Sequence, residues 1–214
     1  MANAQKRKGD QAERDYLAHF TTVYPHLARP DAMRHLGAGR RDDVGDVRVM
    51  YGVACQVKHW SNVSAAIFDA VRGVRRQRFN GGDLLGVGIV KVPRARPPRP
   101  VSITCALEDE WPVPVSDSAP LFRQSGRLLT WLATAEDPPA VARARSAART
   151  VAQRRALPPA PAPREERAAV LQVGQARYVV GTEEAWLRVA VPTLAAHRID
   201  PARGAAPLTG SMRA

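Results

Sequence analysis

The chain has 214 residues, 45% of them hydrophobic and 24% charged, with a formal net charge of +12. That length suffices for one domain plus an appendage and for a buried core, while the charge is the footprint of a protein that meets a polyanion. No apolar run is long enough to span a membrane, and no hydrophobic signal segment opens the sequence.

Taken in chain order, the basic run Lys6-Arg7-Lys8 leads into a helix predicted over residues 10 to 20, with Ala12, Tyr16, Leu17 and Phe20 on one face. Asp10 is placed to cap it, three residues ahead of Glu13, and Glu13 borders the apolar stripe. Glu13 therefore has two readings, the reciprocal half of a capping box or a carboxylate turned toward a site. After Arg40-Arg41, the stretches 45 to 50 and 53 to 58 alternate with period two around Tyr51-Gly52 and read as a hairpin. Val47, Val49, Val53, Cys55 and Val57 then share a core face, and Asp46, Arg48, Gln56 and Lys58 share the other. The two strands agree on this only if the turn carries three residues or a bulge, because a two-residue loop sets Asp46 opposite Val57.

A helix follows from about Ser61 to Phe79, with Val63, Ala66, Ile67, Ala70, Val71 and Val74 at helical spacing and Arg72, Arg75 and Arg76 on its other side. Leu84 to Val92 is a nearly continuous apolar strand of the kind buried between helices, and Val101 to Cys105 is the next. Between them, residues 93 to 100 hold four prolines and three arginines and form an extended loop. The fold class is thus α/β, a mixed central sheet flanked by helices. Cys55 and Cys105, both in apolar strand-like segments, read as buried free thiols in a reducing cytoplasm, and neither they nor the histidines have metal-site spacing.

Residues 1 to 110 read as the core and 111 to 136 as an extension in which Leu121 to Leu132 forms a short helix or hairpin. Residues 137 to 168 are an Ala/Pro/Arg-rich linker or insertion. From 169 to 195 a hairpin, Val170 to Val173 and Arg177 to Val180, precedes a helix capped by Thr182 with Trp186, Leu187 and Val191 on its apolar side. This segment either packs back on the core or forms a small module of its own, and residues 196 to 214 are a tail.

The polar face of the first hairpin has the residue types that phosphodiester hydrolysis needs. That reaction calls for a hard divalent cation on oxygen ligands, an acidified water and positive charge where the transition state gathers negative charge. Asp46 offers a carboxylate, Gln56 an amide oxygen, Val57 a carbonyl, and Lys58 an ammonium to orient the water or stabilise the transition state. A plain polar sheet face with a snorkelling lysine is the alternative.

With these residues assembled, the chain resembles the PD-(D/E)XK nuclease superfamily, and within it the small Holliday junction resolvase-like enzymes, including those of bacteriophages. The resemblance lies in Lys8-Gly9 followed by Ala12-Glu13-Arg14, in Gly45-Asp46-Val47 for the "PD" element, and in Gln56-Val57-Lys58 for the "(D/E)XK" element. It runs on through Asn80-Gly81-Gly82-Asp83 into Leu84 to Val92, covering roughly residues 5 to 105. It implies a restriction-endonuclease-like core, a metal site of Glu13, Asp46 and Gln56 for Mg²⁺ or Mn²⁺, and Lys58 as the catalytic lysine. It also implies DNA as partner, branched or duplex, a homodimer for paired nicks, roles in recombination or repair, and a cytoplasmic setting, the host's for a phage protein.

Two positions depart from the pattern. Gly45 replaces the proline, and Gln56 replaces the second acid, as in the Mrr-type endonuclease branch, which removes one negative charge from the site and weakens cation binding unless Glu13 or Asp43 compensates. The alternatives are an Mrr-type restriction or repair endonuclease or exonuclease, and an inactive basic DNA-binding protein. DNA contacts are expected from Lys6, Arg7, Lys8, Arg40, Arg41, Arg72, Arg75 and Arg76, although 28 of the 32 basic residues are arginine, a bias that a GC-rich coding sequence also produces.

Overall fold

The computed structural model describes residues 2–34, 46–92, 102–117, 119–134 and 167–205. Its first helix, α1 (Ala2–Val23), starts eight residues before the predicted one. Residues 2 to 8 are good helix formers without an apolar stripe, so periodicity is blind to them, and Gly9 reads as a breaker although helices tolerate it at a cost of about 1 kcal/mol. Asp10 accordingly sits inside the helix rather than at its cap, and the capping-box reading of Glu13 falls away.

Short strands β1 (Met33–Arg34) and β2 (Val47–Arg48) lead to β3 (Val53–Lys58). In the β2–β3 hairpin Val47 faces Cys55, so the turn is Met50-Tyr51-Gly52, and Gly52 takes the positive φ of 74° that closes it. This odd-numbered turn is what lets Asp46 lie across from Gln56. Helix α2 (Val63–Gly81) follows, capped by Asn62, whose side chain accepts the Ala65 N–H at 3.1 Å, and ended by Gly82 in the left-handed region.

Strand β4 (Leu85–Lys91) runs parallel to β3, and β5 (Ser102–Leu107) antiparallel to β4. Then come β6 (Leu121–Phe122), helix α3 (Ser125–Thr134), the hairpin β7 (Ala168–Val173) and β8 (Ala176–Gly181), and helix α4 (Glu183–Ala196), whose cap is Thr182. A small ribbon, β9 (Ile199–Asp200) and β10 (Gly204–Ala205), follows.

Eight strands make one mixed sheet in the order β1-β2-β3-β4-β5-β8-β7-β6. The α/β class is therefore plain, and the hairpin of residues 168–181 joins the same sheet through β8 against β5. One face of the sheet buries Val47, Val53, Val57, Val87 and Ile89 against Tyr16 and Phe20 of α1 and Trp186, Leu187 and Leu194 of α4. The opposite face buries Val90, Ile103 and Leu171 against Ile67 and Val71 of α2 and Leu128 and Leu132 of α3. Each such side chain contributes about 1.5–3 kcal/mol by leaving water. Trp186 and Leu187, on the apolar side of α4, are buried in this core, so the segment packs back on the sheet.

Helix α2 lies very close to the sheet. A Cβ on Gly88 of β4 would stand 2.8 Å from the Cβ of Ala70, and one on Gly73 would stand 2.5 Å from Oε1 of Gln56. Both glycines are there for that approach. Cys55 and Cys105 are free and buried, and burial pushes both thiols well up. Among the described residues no helix is long and apolar enough to cross a membrane.

Candidate active site

The end of β3 projects past the short β2, and α1 and the start of α2 close over it. The result is a cleft of about 450 Å³ lined by Lys8 and Glu13 of α1, Asp46 at the mouth of the hairpin, Val57 and Lys58, and His59 to Asn62 leading into α2. Four of the sequence-derived site residues, Glu13, Asp46, Val57 and Lys58, thus meet from three separate stretches of chain.

Asp46 is the anchor of the group. Its N–H donates to the carbonyl of Cys55 at 3.0 Å, and its Oδ2 accepts from the N–H of Val57 at 3.1 Å and from Nε2 of Gln56. A strand residue's N–H and C=O lie on the same edge, so the Val57 carbonyl also faces the Asp46 side of β3. Gln56, expected as an oxygen ligand, lies against Asp46 itself. Its amide nitrogen holds Asp46 while its oxygen sits under Gly73 of α2, so here it orients the carboxylate from below.

Glu13 is engaged by Arg34, which donates to Oε2 at 2.6 and 2.9 Å and reaches Asp10 at 3.1 Å. Lys58 forms an ion pair with Asp69 of α2 at 3.3 Å. Neither Arg34 nor Asp69 has a signal in the sequence, because both contacts depend on how helix and strand dock. His59 has its pKa lowered by burial and by the nearby Lys91 and Lys8, so its ring is neutral near pH 7.

No family model, curated protein or solved structure matches this chain. What the site can do is therefore argued from its atoms. Among the described residues no three His, Cys, Asp or Glu side chains cluster as a ready-made metal cage. Mg²⁺ does not require one, since it keeps several waters and is held by one or two carboxylates together with substrate phosphate. Asp46, Glu13 and the Val57 carbonyl are hard-oxygen groups at one cleft that would suit such an ion, which Glu13 would meet only by giving up Arg34.

The expected DNA contacts divide by place. Lys8 lines the cleft itself, and Lys6 and Arg7 are exposed on the same helix. Arg72, Arg75 and Arg76 line a neighbouring groove of about 840 Å³, and Trp60 lines both hollows. Arg40, Arg41 and Asp43, the loop of residues 93 to 100 and the stretch of residues 137 to 166 lie outside the described residues.

Proposed function

We propose that the protein is a metal-dependent DNA endonuclease of the PD-(D/E)XK kind, hydrolysing phosphodiester bonds with Mg²⁺ or Mn²⁺, and that it acts on branched DNA in the manner of Holliday junction resolvases. The observation that carries this reading is the convergence of Glu13, Asp46, Val57 and Lys58 on one cleft. When bound, the cation supplies positive charge at the scissile phosphate and lowers the pKa of water there.

The chain's own residues divide the remaining work. Asp46, held by Gln56 and the Val57 N–H, presents its carboxylate without needing to reorganise. Lys58, held at the cleft by Asp69, would bring its ammonium to the phosphate to stabilise developing charge and orient the attacking water. Lys8 at the rim and the N-terminus of α2 behind Asn62 favour a phosphate in this cleft.

A second reading, DNA binding without turnover, draws support from the pairing of Glu13 with Arg34, which neutralises that carboxylate without a metal. Paired nicking of a junction would require two copies of the chain, and the contact between them would have to avoid the buried Trp186 and Leu187.

The test is cleavage of a four-way junction, a flap, a linear duplex and a single strand with Mg²⁺ or Mn²⁺ against EDTA. Metal-dependent nicking that Asp46→Asn and Lys58→Ala each abolish, with DNA binding retained, is the expected result. Asp46→Asn at the wild-type rate would overturn the site, and binding without cleavage on every substrate would favour the second reading.

A further inference from the structure

The groove beside the cleft has aromatic features that phosphate binding alone does not explain. Trp60 is 45% exposed and belongs to neither core cluster, so neither core accounts for an indole at this point. The same groove is lined by Phe68 of α2 and Tyr178 of β8, half-buried, with ring centroids 5.0 Å apart and planes inclined by 36°. Those two rings do have packing work against the core of α2 and α3. Even so, they leave an apolar floor beside Trp60.

The rim is cationic. Arg72, Arg75 and Arg76 face Asp69 as the acidic residue of the lining. Arg72 contacts Asp69 at 3.1 Å and Arg75 contacts Glu110 at 2.8 Å, yet their side chains are 84% and 54% exposed. Pairs that exposed contribute little, so a phosphate can compete for either guanidinium. Asp69 is also shared with Lys58, which leaves the rim net positive.

A duplex keeps the faces of its bases stacked inside and shows a protein only phosphates, sugars and base edges, so exposed ring faces gain nothing from it. An unpaired strand offers base faces and phosphates together, and a basic groove with stacking rings is how proteins hold it. We propose that this groove binds an unpaired DNA strand, with a base stacked on Trp60 and phosphates along Arg72, Arg75 and Arg76. Because Trp60 also lines the cleft, the strand continues toward Lys58. Among branched substrates, those with a single-stranded arm or gap next to the cut are then preferred over a fully paired junction. The direction toward the cleft rests on the nuclease reading, and strand binding itself does not.

The experiment is a titration in EDTA of the full chain with an oligothymidylate of about 15 nucleotides and with a blunt duplex of equal length. The chain has four tryptophans, and Trp111, Trp131 and Trp186 are buried, so stacking on Trp60 is read directly as quenched emission. Tighter binding of the single strand with quenching is expected, and Trp60→Ala should weaken it about tenfold while leaving duplex affinity nearly unchanged. Trp60→Phe should restore most of the affinity, and Arg76→Ala should weaken both ligands and lower the salt dependence.

Equal affinity for strand and duplex without quenching would overturn the proposal, as would a Trp60→Ala variant with unchanged strand affinity or with equal losses on both ligands. Quenched strand binding without metal-dependent cleavage of any substrate would keep the groove and remove the nuclease. Cleavage with no strand preference would do the reverse.

Discussion

Changing Gln56 to Glu tests the site where it is driest. Gln56 and Asp46 are 3% and 5% exposed, and the amide nitrogen of one donates to the carboxylate of the other. The substitution removes that donor and sets a second carboxylate in its place. Losing a hydrogen bond to a charged group costs about 1.5–3 kcal/mol. Crowding two buried carboxylates adds to this until one of them takes up a proton, so its pKa in the folded chain rises above the unfolded value.

The loss should come to about 2–4 kcal/mol in EDTA near pH 8. For a chain of this size each kcal/mol moves Tm by about 2–4 °C, which gives a drop of roughly 4–16 °C. The penalty should shrink as pH falls through the raised pKa, because the protonated carboxyl can donate to Asp46 again. A cation at about a hundred times its Kd returns about 2.7 kcal/mol, and the extra charge should make this recovery larger for Gln56→Glu than for wild type. Thermal melts with EDTA and with Mg²⁺, on both sides of neutrality, measure all of it. A variant that melts like wild type in EDTA at alkaline pH would refute the Gln56–Asp46 contact, and equal Mg²⁺ shifts in both proteins would refute a cation beside residue 56.

Gly73→Ala would ordinarily gain about 1 kcal/mol of helix propensity, but its Cβ would lie 2.5 Å from Oε1 and 3.0 Å from Cδ of Gln56. No rise in Tm and a fall in cleavage rate are expected, whereas the full helix gain with unchanged cleavage would contradict the packing. Gly88→Ala sets a Cβ 2.7 Å from Sγ of Cys105 and 2.8 Å from Cβ of Ala70 and should lose about 1–3 kcal/mol in urea unfolding; a neutral result would mean that α2 can lift from the sheet cheaply. The ring Nε2 of His19 donates to the Glu183 carboxylate at 2.9 Å, which raises the histidine's pKa above 6.5. The margin of wild type over His19→Gln should therefore be full below that value and fade as pH rises through the raised one, and a margin constant across that range in thermal melts would argue against the pair.

The sequence carried most of what is local. Alternation about Tyr51-Gly52 places Val47, Val49, Val53, Cys55 and Val57 on one buried face, and the condition it imposes on the turn is the one the structure meets. Thr182 announces α4 and caps it by accepting the Ala185 N–H at 3.2 Å. Contacts made by docking could not be read in this way. Arg34 on Glu13, Asp69 on Lys58 and Gly73 over Gln56 join residues whose separation in sequence has no period. The same holds for Trp186 and Leu187, since an apolar stripe states that it will be covered and not by what. For the site, residue types and the spacing of Asp46 to Lys58 were legible, while the seating of Gln56 between Asp46 and Gly73 needed the third dimension.

The pairing of β5 with β8 imposes an order on how the chain comes to be finished. Thr104 donates to the carbonyl of Gly181 at 3.2 Å and to that of Thr182 at 3.0 Å, across 77 and 78 residues of sequence. At a synthesis rate of about 5–20 residues per second, β5 emerges roughly 4–15 s before the strand that covers it. During that interval every residue of the cleft already exists, while the sheet beneath it ends in an open hydrogen-bonding edge of the kind that recruits a neighbouring chain. Crowding on the ribosome therefore threatens this protein at β5, far from its chemistry, and the strand made late works as the latch that ends the risk.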